Sequence, residues 1–180
     1  LFSTACGEVI TSLTKNLFDG NGRKIVAQFH EWMTGAGLLY VKENAPAVAT
    51  VFTTHATILG RAMTGAGRDI YQELAKVAPL EEAKQCNVAA KHSMELTSAR
   101  EADCFTTVSE LTAREAHKLL GAKPAVVTEN GIDITAIADY AADRKPAEES
   151  RNRLLAFTRE FLGEDVSDTA RLVLISGRYE

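Results

Sequence analysis

Nowhere in the 180 residues does an apolar run approach the ~20 that a membrane-spanning helix needs, so no spanning segment is expected. A strong excess of either charge is lacking too. A net charge of −4 leaves no basic field to draw in nucleic acid or anionic lipid, and neither partner is expected. Cysteine is limited to Cys6, Cys86 and Cys104, an odd count without CxxC spacing. That argues against a disulfide framework and a cysteine zinc site. It fits a reducing, cytoplasmic setting in which the thiols pack as small buried hydrophobes. Catalytic signatures are missing as well. His30-Glu31 does not open an HExxH motif, because Thr34 stands where the second His is needed. There is no G-x-S-x-G elbow to make a nucleophile of Ser109. Gly20/Gly22, Gly35/Gly37 and Gly65/Gly67 each supply G-x-G without the third glycine, and there is no Walker A lysine motif. Neither a metal site nor a bound cofactor is expected.

What is present reads as alternating strands and helices. With 46% apolar and 24% charged residues, the chain has the balance of a globular domain able to bury a core. Apolar residues at helical spacing over 2–18 predict an amphipathic helix, broken by Asp19-Gly20-Asn21-Gly22. Strands are predicted at 24–29, 47–53, 104–108, 125–128 and 171–176, where short β-branched or apolar runs lie between breakers. Helices are predicted over 34–43, 56–63, one extended helix over 80–100, and 109–120. Ser109 is the N-cap of the last and Gly121 its C-terminal stop. Residues 137–150 read as a connector, and Pro146 opens a helix through Phe161 that Gly163 closes. The expected fold is α/β, a Rossmann-like parallel sheet with helices on both faces. Thr-Gly-Ala-Gly occurs at both 34–37 and 64–67, a coincidence rather than a repeat.

In open parallel sheets, ligands bind beyond the C-terminal strand ends. Polar or special-backbone residues follow every predicted strand. These are His30, Glu31 and Trp32; Thr54, His55 and Thr57, with Arg61 further on; Ser109; Glu129, Asn130 and Gly131; and Gly177, Arg178, Tyr179 and Glu180. Five such groups on one edge point to a cleft for a polar ligand. Arg61 and Arg178 are the arginines nearest that edge, with the planar forks that fit phosphate oxygens. Each has a plainer reading beside it. An arginine alone is most often a solvated charge, His30 or His55 alone a structural histidine, and Asn130-Gly131 alone an ordinary turn.

Particular strings then carry a resemblance. Ala27-Gln28-Phe29-His30-Glu31-Trp32 is similar to the H-x-H-[DE]-W region of starch and glycogen synthases, with Gln28 in place of the first His. Met33-Thr34-Gly35 after the Trp is mixed, its Thr-Gly resembling the starch type. Phe52-Thr53-Thr54-His55-Ala56-Thr57-Ile58-Leu59-Gly60-Arg61 resembles the animal and fungal glycogen synthases. So do Ala102 to Glu110, Glu129-Asn130-Gly131 and Ser176-Gly177-Arg178-Tyr179-Glu180. The strings stand in the family's order from Ala27 to Glu180.

The resemblance implies a two-domain glycosyltransferase of the B type (GT-B), with residues 1–136 forming the second half of the N-terminal Rossmann-like domain. Residues 137–168 would be the interdomain connector and helix, and 169–180 the first strand of the C-terminal domain. It implies retaining transfer of glucose from UDP-glucose or ADP-glucose to the 4-OH end of an α-1,4-glucan such as glycogen, without a metal. By the same resemblance His55, Arg61 and Arg178 are catalytic, His55 beside the transferred glucose and the arginines facing the diphosphate. His30, Thr54, Asn130 and Glu180 are substrate-binding. The chain opens without Met and stops just after its predicted fifth strand, so a piece of a longer protein is expected, inactive alone. The full-length protein is expected to be a homo-oligomer. Two alternatives remain at this point: another GT-B enzyme of the sucrose or trehalose-phosphate synthase kind, and a non-catalytic sugar-nucleotide-binding or assembly module.

Overall fold

The computed structural model describes residues 1–18, 22–134 and 144–173. The chain divides into two compact units, Leu1–Asn130 and Gly131–Glu180.

The first unit opens with helix α1 (Phe2–Leu13), continued by a π-helical turn over Thr14–Phe18. Strand β1 (Val26–His30) leads through a tight turn at Trp32–Thr34 into α2 (Gly35–Asn44), which stops ahead of Pro46. Strand β2 (Ala49–Thr54) is followed by α3 (Ile58–Gly65), the single-turn α4 (Ile70–Glu73), α5 (Pro79–Gln85) and α6 (Ala89–Glu101). Then come β3 (Cys104–Thr107), α7 (Glu110–Leu120) and the two-residue β4 (Val126–Val127).

The four strands are parallel, in the order β1-β2-β3-β4. Every connection steps the same way across the sheet, so crossovers of the common right hand fall on one face. On that face Phe29, Phe52 and Phe105 stand opposite one another in register, and the rings of Phe52 and Phe105 stack 5.9 Å apart. Leu38 and Val41 of α2, Ala99 of α6, and Ala116 and Leu120 of α7 close the core over them. Leu59, Met63, Ile70, Val77, Ala83 and Leu119 form a second, smaller cluster that seats α3 to α5. Helix α1 docks on α2 through small residues. Ser3 Oγ accepts the Gly37 N–H at 2.7 Å, and a Cβ on Gly37 would lie 2.5 Å from the Ser3 carbonyl oxygen.

Local signals explain the ends of α7. Ser109 Oγ accepts the Thr112 N–H at 3.0 Å, a cap usually worth about 1 kcal/mol, and Gly121 stops the helix at φ 62. The expected single helix over 80–100 is instead two, α5 and α6. Asn87 between them takes a left-handed backbone at φ 55, a conformation that Asn tolerates better than most residues. The cysteines are free and only half-buried, less enclosed than expected.

In the second unit α8 (Lys145–Leu162) starts with Pro146 in its first turn and ends at Gly163, φ 65. The following segment folds back along it. Arg151 donates to the carbonyls of Asp168 and Ala170, each at 2.7 Å, and Arg159 meets the Asp168 carboxylate at 2.7 Å. The predicted fifth strand is not seen over Arg171–Val173, and the rest of it lies outside the described residues.

Candidate functional site

The parallel register brings the ends of β1 and β2 together. His30 stands opposite Thr53, and the chain beyond each strand turns along the same edge. His30 Nδ1 and His55 Nε2 come within 3.0 Å, with ring centroids 5.3 Å apart. Glu31 follows at φ 63 and ψ 167, a backbone region that only glycine enters without strain. Three contacts hold it there. Its N–H donates to the Thr53 carbonyl at 3.0 Å, its carboxylate accepts the His55 N–H at 3.0 Å, and the Arg61 guanidinium lies 3.5 Å from that carboxylate. Arg61 leaves the first turn of α3 and keeps 56% of its side chain exposed.

Behind this edge the loop from Thr54 to Ile58 is gripped by buried carboxylates. Glu95 on α6, fully buried, accepts from Thr54 Oγ1 at 3.0 Å and from the Ile58 N–H at 2.9 Å. Burial pushes its carboxyl up to about 7 against these two hydrogen bonds, and the negative charges of Glu31 and Glu115 push the same way. Glu115 on α7 accepts the Thr57 N–H at 3.0 Å and the Thr57 hydroxyl at 2.5 Å. Thr57 in turn caps α3, accepting the Gly60 N–H at 2.9 Å.

The structure thus brings together three of the residues singled out from the sequence, His30, His55 and Arg61. Thr54 is placed differently. It is fully buried with its hydroxyl on Glu95, so it supports the loop from within. Ser109 is occupied as a helix cap, and Trp32 lies under the Lys91 ammonium, 5.1 Å from the ring centroid. Asn130 is exposed in the irregular stretch after β4. Arg178 and Glu180 lie outside the described residues.

Glu95 and Glu115 escaped the sequence reading because a carboxylate on a helix ordinarily faces water. Helix phase held a signal for Glu115. It falls between Thr112 and Leu119 on the stripe that α7 buries. Among the described residues no group of His, Cys, Asp and Glu is arranged to hold a metal ion, and no helix is long and apolar enough to cross a membrane.

Comparison with known proteins identifies the family. The family model for glycogen synthase matches residues 4–180. Mouse liver glycogen [starch] synthase is 39% identical over 164 residues, covering 89% of this chain and 23% of the mouse protein. Glycogen [starch] synthase of Caenorhabditis elegans is 35% identical over 159 residues, 87% of this chain and 24% of the relative. That of Dictyostelium discoideum is 39% identical over 111 residues, 62% of this chain and 13% of the relative. The chain therefore spans less than a quarter of the length of these relatives. Across nearly its whole length, from the helix before β1 to its last residue, the chain belongs to the glycogen synthase family.

Proposed function

We propose that this chain is part of a glycogen synthase that moves glucose from a nucleotide-glucose donor to the 4-OH end of an α-1,4-glucan with retention. The observation that carries the reading is the convergence of His30, His55 and the exposed Arg61 at one strand-end edge, in a member of this family. In the reaction the bond from glucose C1 to the leaving phosphate oxygen breaks, with its electron pair going to the diphosphate. The acceptor O4 bonds to C1 on the same face, and its proton passes to the departing diphosphate, whose oxygen has gained the electron pair of the broken bond.

Charge builds on the diphosphate, so fixed cationic donors aimed at it lower the barrier without reorganising. Arg61 takes that part here, and Arg178 is assigned the same role. His55 lies beside the transferred glucose, and the His30 contact fixes which way its ring turns. Asn130 and Glu180 contribute polar contacts to the substrate, and Thr54 acts by holding the loop that carries His55. The donor is UDP-glucose or ADP-glucose, the acceptor is glycogen, and no metal or cofactor takes part. The full-length protein works in the cytoplasm as a homo-oligomer.

The test is incorporation of labelled glucose into glycogen by the full-length protein, with UDP-glucose and ADP-glucose in parallel. Transfer from either donor supports the reading and identifies the nucleotide. Transfer from neither, by protein shown to be folded, overturns it in favour of a non-catalytic binding module.

A further inference from the structure

Two carboxylates behind the strand-end edge hold the loop that carries His55. Glu95 and Glu115 are buried, and among the described residues neither pairs with a lysine or arginine. A buried carboxylate without a counter-ion is costly unless hydrogen bonds replace its water. Glu95 accepts at both ends of the loop, from Thr54 Oγ1 and the Ile58 N–H. Glu115 accepts twice from Thr57 and, more distantly at 3.4 Å, from the Tyr71 hydroxyl. The first turn of α3 rides directly on Glu115, since a Cβ at Gly60 would lie 2.3 Å from its Oε1. From α7 too, Thr112 Oγ1 donates to the His55 carbonyl at 3.4 Å. The residues on either side of His55 and Arg61 are thus held from behind, while those two side chains remain at the surface.

We propose that Glu95 and Glu115 are positioning residues of the sugar-nucleotide site, setting where His55 and Arg61 stand without touching substrate. The inference rests on the reading of that edge as the donor site. A misplacement of about 1 Å costs rate more than ground-state binding, because the transition state demands the stricter geometry.

The length of the side chain is therefore the variable to change. Glu→Asp at either position draws the carboxylate back by one methylene and keeps its charge. Glu→Gln keeps the length. At position 95 the amide can accept from the Ile58 N–H and donate to Thr54 Oγ1. At position 115 its oxygen can accept both Thr57 donors. The variants are made in the full-length protein and assayed with UDP-glucose, or with ADP-glucose if that is the donor. Rates are counted per site that binds the matching nucleoside diphosphate, so unfolded protein is excluded.

The expected result is that each Asp variant loses about tenfold or more in kcat with donor KM within about threefold, while each Gln variant stays within about threefold in both. Gly60→Ala, which pushes a methyl group onto Glu115, is expected to behave like Glu115→Asp and decides the matter if the Asp variants do not fold. Asp variants that keep wild-type kcat per binding site overturn the proposal, as do Gln variants that fall as far as the Asp ones. If the wild type transfers no glucose from either donor, the reading of the edge as a donor site fails, and this proposal falls with it.

Discussion

His30 Nδ1 and His55 Nε2 stand 3.0 Å apart, so one ring presents a proton and the other a lone pair. The contact couples the tautomers of the two rings and holds the turn of the His55 ring. His30 is exposed, so removing its ring disturbs little packing. His30→Ala in the full-length protein is expected to lower glucose transfer about tenfold, while the melting temperature moves by no more than a few degrees. Wild-type transfer in that variant would mean that the histidine contact does not orient His55.

The docking of α1 on α2 leaves no room for a side chain at Gly37. A Cβ there would meet the Ser3 carbonyl oxygen at 2.5 Å, a backbone atom that cannot rotate away. Gly37→Ala is expected to destabilise the protein by about 1–3 kcal/mol, the usual cost of overpacking, despite the better helix propensity of alanine. Thermal or denaturant unfolding of the variant measures this, and an unchanged midpoint would contradict the tight docking.

Glu95 gives stability a pH dependence of known sign. Its carboxyl is raised from 4.5 to about 7, chiefly by burial, so the folded chain holds this proton more tightly than the unfolded chain does. Its contribution is full below about pH 4.5 and fades as pH rises through 7. The loss approaches ~3 kcal/mol at most. Glu95→Gln stays neutral at every pH. It is expected to match the wild type near pH 5 and to melt at a higher temperature near pH 8. Parallel melting curves of the two proteins across that range would contradict this.

Asp103 ties the start of β3 to the start of β2. Its carboxylate takes the Lys42 ammonium at 2.7 Å and accepts the Thr50 N–H at 2.8 Å and the Thr50 hydroxyl at 2.9 Å. Lys42 first, then these two Thr50 donors, hold its carboxyl down to about 2. The stabilisation is present above pH 3.8 and fades as pH falls through 2. Asp103→Ala strips the acceptor from a backbone N–H and is expected to cost about 1–2 kcal/mol, whereas Asp103→Asn, which keeps an acceptor, costs less than half as much. The Lys42 contact is half exposed, so salt weakens it little by little. Equal destabilisation by both substitutions would show that Lys42 outweighs Thr50.

The sheet was largely legible because its strands are short β-branched or aromatic runs between breakers, and Ser109 and Gly121 bound α7 as caps of their type should. The break before α6 was not legible. Asn87 performs it without a glycine or proline, inside a stretch of good helix formers. The two Thr-Gly-Ala-Gly strings show why short identities mislead. Gly35 and Gly37 are buried where α2 meets α6 and α1, while Gly65 and Gly67 end α3 where an added Cβ would meet none of the described residues. At the site, strand-end placement located His30, His55 and Arg61, because topology alone carries residues to that edge. It did not show which way Thr54 faces, since the pleat turns this hydroxyl toward the helices, and spacing along a chain does not show which carboxylate of a neighbouring helix will meet it.

The most direct test of the account is the rate of glucose transfer to glycogen by full-length Arg61→Ala, with His117→Ala as control. His117 is exposed on α7 and carries no role here. Loss of the arginine is expected to lower kcat about a hundredfold or more while the control keeps the wild-type rate. An Arg61→Ala protein that transfers glucose as fast as the wild type would contradict the claim that this strand-end edge faces the diphosphate.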